Sequence, residues 1–449
     1  MKYHIKTFGC QMNVSDSERI ASFLEKFGFS STQEIKNAEL VIFNTCGIKQ
    51  TAENRAYSMI NNLRKEKGLN IKIIMTGCLA NRKDVRKRMN TKVDLFLSIK
   101  DTREFENWII ENYLEIGNWK LEIPSQKKRL MNQEQINYLS IKPKHQNKYQ
   151  AYVPIMTGCN NFCAYCVVPH ARGREVSRPA DEIIDEVKKL IAQGYKSITL
   201  LGQNVNSYQG ASEKNSEIKI DFSELLKKIN AIPGNFWIYF VSSHPKDMSD
   251  KLIDAVTKYK KVCENIHLPV QAGDDEILQR MNRHYTKKQY LQIVQKIKKS
   301  FQKNKPGTLF SVSSDIIVGF PGETVKQFLE SADIMKKAKF DMVFFGQFSP
   351  RPGTVAWKMQ DNVPQEEKAS RENTLNEILK KTTFTHNKKY LNKEVNVLIE
   401  KEKDGFYFGK TRTLKNVKLK TDRKNLIGKI VKSKIRKVNF WNLEGELLT

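Results

Sequence analysis

The chain has 449 residues, of which 39% are hydrophobic, and its 77 lysines and arginines against 49 aspartates and glutamates give a net charge of +28. This length exceeds one ordinary core and predicts about three domains. No run of about 18 apolar residues is available to span a membrane, and the opening MKYHIKTFGCQMN lacks the apolar stretch of a secretion signal. The expected compartment is the cytoplasm, where seven cysteines read as ligands or free thiols rather than disulfides. The basic excess favours a polyanionic partner, most simply nucleic acid. A compositional bias towards Lys, Asn and Ile would also coat a solvated surface with lysine.

Strand and helix patterns alternate through the first hundred residues. Tyr3–Phe8, Leu40–Asn44, Ile71–Thr76 and Asp94–Ile99 read as strands, with helical patterns at Ser15–Phe27, Ala52–Lys67 and Arg82–Met89. A parallel, Rossmann-like sheet over residues 1–120 is expected. Residues 121–150, rich in Gln, Asn and Lys with Pro124 and Pro143, read as a linker. Alternation returns over residues 151–385. Its strands are Tyr152–Met156, Ser197–Leu201, Trp237–Val241, Asn265–Val270, Phe310–Val318 and Met342–Phe348, and its helices include Ala180–Gln193, Phe222–Ile229 and Lys287–Phe301. Six such units predict a partial (β/α)6 barrel rather than a closed eightfold one. Residues 386–449 carry 17 Lys and Arg against 7 Asp and Glu. Short strands at Val395–Glu400, Phe406–Thr411, Val417–Lys420, Ile427–Lys434 and Lys437–Trp441, with turn signals at Asp404-Gly405, Asp422 and Gly428, predict a small β-barrel.

The segment GCNNFCAYC sets Cys159, Cys163 and Cys166 in the loop after the first barrel strand, the end at which barrel enzymes carry their chemistry. Thiolates at this spacing suit an iron–sulfur cluster, and three ligands on a four-iron cube leave one iron open. A zinc site with His170 as fourth ligand is the alternative. In the first domain Cys10, Cys46 and Cys78 each follow a strand. Neighbouring parallel strands end on one edge of a sheet, so these three are expected to converge on a second cluster. Gly9, Gly47 and Gly77 beside them permit close backbone approach. The alternative is three buried core thiols. Cys263 lacks such partners and reads as a core residue.

With both trios placed, the chain resembles the methylthiotransferases of the radical S-adenosylmethionine superfamily over nearly its whole length, and within them the branch that acts on isopentenyladenosine in tRNA. TFGCQMNVSDSE at residues 7–18, VIFNTCGIKQTAENRA and IMTGCLANR match the first-domain cysteine segments, and GCNNFCAYCVVPHARGREVSRP matches the radical motif. LGQNVNSY, SSHP, DIIVGFPGET and SPRPGT follow in family order, and the tail with GKTRT at 409–413 resembles the RNA-binding TRAM domain. HLPVQAGDDEIL departs in carrying Ala272 and Asp274 where the family usually shows serines. The resemblance implies two [4Fe-4S] clusters and S-adenosylmethionine. The cluster on Cys10, Cys46 and Cys78 would carry a sulfur methylated by one S-adenosylmethionine. The cluster on Cys159, Cys163 and Cys166 would cleave another to the radical that activates C2 of the adenine beside the anticodon. It also implies an electron donor such as flavodoxin or ferredoxin, a sulfur donor of unspecified kind, no membrane, and action as a monomer.

Polar residues at the barrel strand ends are expected to grip the cofactor as a set: Gln203, Asn204, Ser242, Ser243, His244, Gln271, Asp315, Gly319 and Glu323. Singly, each would also serve as a cap or turn residue. Arg172 and Arg174, with Arg178 and Arg351, are expected to neutralise phosphates or the cofactor carboxylate, or else to sit in surface salt bridges. In the tail Lys410, Arg412, Lys415 and Lys418 lie near Phe406, Tyr407 and Phe408, a mixture suited to RNA. Two other readings stand beside this one. The same chemistry would serve threonylcarbamoyl-adenosine in tRNA or an aspartate of a ribosomal protein; alternatively, the chain would be a metal-stabilised RNA-binding protein without turnover. FGCQMN and CVVPHARGRE favour the isopentenyl branch.

Overall fold

Aliphatic runs bounded by turn residues build the first sheet. Leu40–Thr45, LVIFNT, is buried along its whole length, as a parallel strand covered on both faces must be. A computed structural model describes residues 1–47, 50–68, 70–114, 138–212 and 215–448. The chain divides into two compact units, Met1–Gln146 with Val167–Gly173, and Asn147–Cys166 with Arg174–Thr449. In the first unit, strands β1 (Lys2–Thr7), β2 (Ser30–Ser31), β3 (Leu40–Thr45), β4 (Lys72–Gly77) and β5 (Leu95–Phe96) pair in the order β2-β1-β3-β4-β5, all parallel. Leu40 and Ile42 of β3 join one apolar cluster and Val41 and Phe43 another, because successive side chains leave opposite faces. Helices Gln11–Lys26 and Thr102–Ile109 cover the first face, and Gln50–Lys67 and Lys83–Met89 the second.

Residues 115–137, most of the stretch that reads as a linker, lie outside the described residues. Beyond them Tyr138, Leu139 and Ile141 are buried in the first apolar cluster, so residues 138–141 pack with the N-terminal unit.

The second unit holds the six expected barrel strands: β6 (Gln150–Pro154), β7 (Ser197–Leu201), β8 (Trp237–Phe240), β9 (Asn265–His267), β10 (Ser311–Val318) and β11 (Met342–Gln347). They form two parallel three-stranded sheets, β6-β7-β8 and β9-β10-β11, linked by a parallel bridge between Ile238 and Val262. The strands therefore follow chain order round an open arc, a partial barrel. β9 stops short of Val270 because Pro269 has no N–H to give the ladder. Helices Lys287–Asn304 and Val325–Ala338 each begin with a complete capping box, from Thr286 and Thr324.

After the 24-residue helix Gln365–Lys388, strands β12 (Glu394–Lys403), β13 (Phe406–Thr411), β14 (Asn416–Lys420), β15 (Ile430–Val438) and β16 (Asn442–Leu447) close a small barrel in the order β12-β13-β14-β16-β15. Asp404 and Gly405 both have positive φ, the hairpin turn that matches strand twist. The last strand lies later than the aromatic signal of Lys437–Trp441 suggests. Phe440 and Trp441 are 45% and 42% exposed on the turn between β15 and β16, where Asn439 N–H donates to Asn442 O at 2.9 Å.

The small barrel packs on the foot of the partial barrel. Trp237, Tyr239, Cys263 and Leu398 share one buried cluster. Tyr239 Oη donates to Thr411 O at 3.0 Å and Ser311 Oγ to Thr413 O at 2.8 Å. Arg412 clasps buried Glu264 at 2.7 and 2.9 Å, and Lys305 reaches the same carboxylate at 2.6 Å. Lys415 pairs with buried Asp341 at 3.1 Å, which His386 also meets at 2.9 Å. Among the described residues no helix is long and apolar enough to cross a membrane.

Burial alone would raise the Glu264 carboxyl, but Arg412 and Lys305 outweigh it and hold it below its ordinary value. A depressed carboxylate adds stability above its unfolded pKa of about 4.3 and loses it as pH falls through the lower folded value. Arg412→Ala should therefore cost on the order of 3 kcal/mol at neutral pH and move acid unfolding to higher pH. Denaturant titrations between pH 3 and 7, at roughly unit steps, check this, and an unmoved acid limb would refute it.

Candidate active site

The parallel register fixes where the first three cysteines emerge. Thr7 pairs with Asn44 and Thr45 with Gly77, so β1, β3 and β4 end together, and Cys10, Cys46 and Cys78 follow. A Cβ on Gly9 would lie 2.5 Å from Cys46 Cβ, and one on Gly47 3.2 Å from Cys78 Cβ. The Cys10 loop thus lies against the Cys46 loop, and that against Cys78. Gly77, at φ +83°, would place a Cβ 2.3 Å from Thr45 O, so the chain turns into Cys78 only without a side chain there. Asn13 ties the loops together. Its Nδ2 donates to Phe8 O at 2.8 Å and Thr45 O at 2.9 Å, and its Oδ1 lies 3.6 Å from Cys10 Sγ. Cys46 and Cys78 are buried, while Cys10 keeps an open surface.

Cys159, Cys163 and Cys166 sit in the loop after β6. Gly158 N–H donates to Gln203 Oε1 at 2.6 Å, Asn282 Nδ2 donates to the carbonyls of Asn161 and Phe162, and Arg174 stacks 4.4 Å over the Phe162 ring. Phe162 itself has φ +45°, a strained conformation held by these contacts. Arg283 is the residue that motif reading missed. It is buried, and its Nη1 donates to Cys163 Sγ at 3.3 Å, its Nε to Tyr285 Oη at 2.9 Å and its Nη2 to Pro269 O at 3.1 Å. The signal available was the polar run Asn282-Arg283-His284 directly after a helix. Among the described residues no three His, Cys, Asp or Glu side chains gather tightly enough for a single metal ion. His170 is exposed on the short helix Val168–Arg172. Burial pushes the Cys263 thiol up to about 12, the state of an inert core cysteine.

The strand-end residues divide into two groups. Ser242 and Gln271 have φ of +68° and +72°, outliers of the kind that cluster at ligand sites. Ser243 Oγ and Asn204 Oδ1 are buried without hydrogen-bond partners, while Asn204 Nδ2 donates to Asp247 at 2.7 Å. Asp315 is part-exposed and lies 3.4 Å from His267 Nε2. Beside it on the ladder, Phe344 is 59% exposed and meets the His267 ring edge-on. These groups remain available to a ligand. Glu323 and Gly319 are engaged instead. The Glu323 carboxylate is buried, accepts from Gly319 N–H at 2.7 Å and pairs with Arg371 at 2.8 Å, so it holds the loop. Burial, aided by the Arg283 and Lys246 charges, pushes His244 down to about 2, leaving a neutral ring that accepts from Lys246 N–H.

Several of the residues expected at RNA pair with carboxylates inside the protein. Arg172 is buried on Asp16 at 2.6 Å, and Arg412 and Lys415 are spent on Glu264 and Asp341, because a basic residue facing a buried carboxylate costs less than either charge alone. Arg178 is buried on Glu186 at 2.8 Å, and Arg351 is buried also. Arg174 remains exposed, and Lys410 is half-buried and loosely paired with Glu400 at 3.9 Å. Lys401 over Phe408 and Lys418 over Phe406 extend a surface of cations and aromatics on the small barrel.

Three family models match the chain: an uncharacterized protein family, UPF0004, at residues 2–98, the radical SAM superfamily at 153–346, and the TRAM domain at 388–448. A tRNA-2-methylthio-N(6)-dimethylallyladenosine synthase of Clostridium botulinum (strain Okra / Type B1) is 42% identical over 99% of this chain and 96% of its own. Proteins of the same name from Finegoldia magna and Thermoanaerobacter pseudethanolicus are 41% and 40% identical, each over 99% of this chain and over 94% and 92% of their own. Among solved structures, a radical S-adenosylmethionine methyltransferase, TsrM, from Kitasatospora setae with tryptophan and a cofactor analogue aligns at TM-score 0.53 and 14% identity, over 79% of this chain and 74% of that one. That likeness shows the fold.

Gly77→Ala should cost about 1–3 kcal/mol, from strain and the clash with Thr45 O. Gly28→Ala, at a similar φ of +82° but with nothing within 4 Å, should cost only the strain, about 1 kcal/mol. Equal losses in urea unfolding would show that the cysteine loops are not closely packed.

Proposed function

The chain belongs to the tRNA-2-methylthio-N(6)-dimethylallyladenosine synthase family of the radical S-adenosylmethionine superfamily, and from that premise we propose that it installs a methylthio group at C2 of N6-isopentenyladenosine beside the anticodon of tRNA. Cys10, Cys46 and Cys78 would hold one [4Fe-4S] cluster and Cys159, Cys163 and Cys166 the other. The observation that supports this most is the convergence of three strand-end cysteine loops in the first unit; the second unit carries its own trio in the loop after β6. When bound, the clusters and S-adenosylmethionine supply the electron, the radical and the sulfur chemistry.

The chain's own residues bind and orient. Gly9, Gly47 and Gly77 let three backbones approach, and Asn13 fixes their spacing. Arg283 and Asn282 hold the second cysteine loop, and Arg283 sets a positive charge beside Cys163. Ser243 Oγ and Asn204 Oδ1 offer unpaired polar atoms to the cofactor, with Gln203, Ser242, Gln271 and Asp315 at neighbouring strand ends. Phe344 presents a ring on which a purine can stack, the usual way an extruded base is held. Lys410, Arg174 and the cation–aromatic pairs of the small barrel would meet the tRNA backbone. Action in the cytoplasm as a monomer, with a flavodoxin- or ferredoxin-like electron donor, completes the proposal, and seven free thiols suit a reducing compartment. The names of the relatives favour isopentenyladenosine over the threonylcarbamoyl and aspartate alternatives.

Nucleoside mass spectrometry of tRNA from a deletion strain checks the substrate: 2-methylthio-isopentenyladenosine should vanish and return with the gene, and its persistence would sink the proposal. Anaerobically purified chain should carry about eight irons; zinc without iron would favour the non-enzymatic RNA-binding reading. Cys163→Ala should abolish 5′-deoxyadenosine formation, whereas Cys10→Ala should abolish methylthiolated product and retain deoxyadenosine.

A further inference from the structure

Phe344 lies in the middle of β11 yet is 59% exposed, whereas Val343 before it is buried in the apolar core. Successive side chains of a strand leave opposite faces, so Phe344 and Gly346 share the face turned away from that core. Nothing lies within 4 Å of where a Cβ on Gly346 would stand, which leaves open space on the same face as the ring. Directly opposite Phe344 on the ladder stands Asp315, its side chain 37% exposed.

His267 and Ser313 steady that carboxylate from the neighbouring strand. The two residues pair across β9 and β10, with His267 Nδ1 and Ser313 Oγ 3.0 Å apart. The other ring nitrogen, Nε2, lies 3.4 Å from Asp315 Oδ2. The imidazole is only 16% exposed and meets the Phe344 ring edge-on, with centroids 6.0 Å apart. Serine, histidine, aspartate and phenylalanine thus form one connected row across three strands. Among the described residues the second carboxylate oxygen, Oδ1, takes part in no hydrogen bond or ion pair. An unused acceptor beside an exposed ring suits a flat heterocycle with a donor on its edge. Joined to ribose, N6-isopentenyladenine carries a single N–H, on its exocyclic nitrogen, and its ring nitrogens only accept.

We propose that Asp315 is a specificity-determining residue for the base stacked on Phe344, its Oδ1 accepting the N6–H, and that His267 positions it. This rests on reading isopentenyladenosine as the substrate. An oxygen in place of the exocyclic nitrogen would lose the hydrogen bond and set its lone pairs against the carboxylate, so the site both attracts one base and repels the other. Asp315 also borders the strand-end polar groups, since Gln271 N–H donates to its carbonyl at 2.9 Å. A contact with the base and a contact with the cofactor must therefore be told apart by experiment.

Two anticodon stem-loop RNAs are mixed and offered to the full chain, reconstituted anaerobically, with S-adenosylmethionine. One carries N6-isopentenyladenosine, the other the same base with oxygen in place of the N6 nitrogen. The ratio of methylthiolated products, read by mass spectrometry, is the ratio of kcat/KM and does not depend on how much of the chain is active. The parent should favour the nitrogen base by about tenfold or more, the worth of one charge-assisted hydrogen bond. Asp315→Ala should bring the ratio to within about twofold of unity. Asp315→Asn should do the same, because its amide can accept from N–H or donate to oxygen. His267→Ala should lower the ratio by less, and an unmoved ratio there overturns its positioning role. A merely structural Asp315 would slow both RNAs and leave the ratio at the parent's value, which overturns the proposal, as does a parent ratio near one. Lost S-adenosylmethionine binding with an unmoved ratio overturns it in favour of a cofactor contact. For a variant without turnover, the same ratio is read from equilibrium competition of the two RNAs for the chain. A parent that modifies neither RNA would instead defeat the substrate reading on which the proposal rests.

Discussion

The parallel pairing of β1, β3 and β4 is the constraint on which the N-terminal chemistry depends. Parallel strands in register end at one edge, and whatever follows each strand is delivered to the same place. Cys10, Cys46 and Cys78 are distant in sequence yet neighbours in space for this reason alone. The pairing survives because Leu40–Phe43 is fully buried on both faces, so a slip by one residue would exchange the two apolar clusters it feeds. The turns out of the strands then need glycine, since a side chain at Gly9 or Gly77 would occupy the space of Cys46 or Thr45.

A second principle organises the other unit. Buried carboxylates at the foot of the partial barrel, Glu264 and Asp341, draw Arg412 and Lys415 out of the small barrel's basic surface and into its attachment. Part of the charge that remains for a polyanion lies on Lys401, Lys410 and Lys418, where it is paired with aromatic rings or only loosely with acids. The net charge of a tail is therefore a poor measure of how much of it meets RNA.

Much of the architecture was legible in the sequence because periodicity reports burial directly. All six barrel strands and the alternation of the first unit lie where apolar runs and turn residues put them, and β9 is short only because Pro269 interrupts its ladder. The last strand of the small barrel was misplaced since Phe440 and Trp441 carry strand-forming side chains on an exposed turn. The cysteine loops were legible from spacing. The roles of Glu323, Arg172, Arg412 and Lys415 were not, because a motif gives the chemical type of a residue and says nothing of the carboxylate or cation that the fold sets opposite it. Arg283 escaped for the same reason: only the folded chain brings residue 283 to residue 163.

The N-terminal unit is discontinuous, and this has a consequence for its synthesis. Val167–Gly173 belongs to it, though 20 residues of the other unit, Asn147–Cys166, precede that segment in the chain. Until residue 172 has been made, Asp16 lacks the counterion with which it is buried in the folded unit. The first unit can gather its sheet early, yet it reaches its final electrostatic state only after the cysteine loop of the second has already emerged.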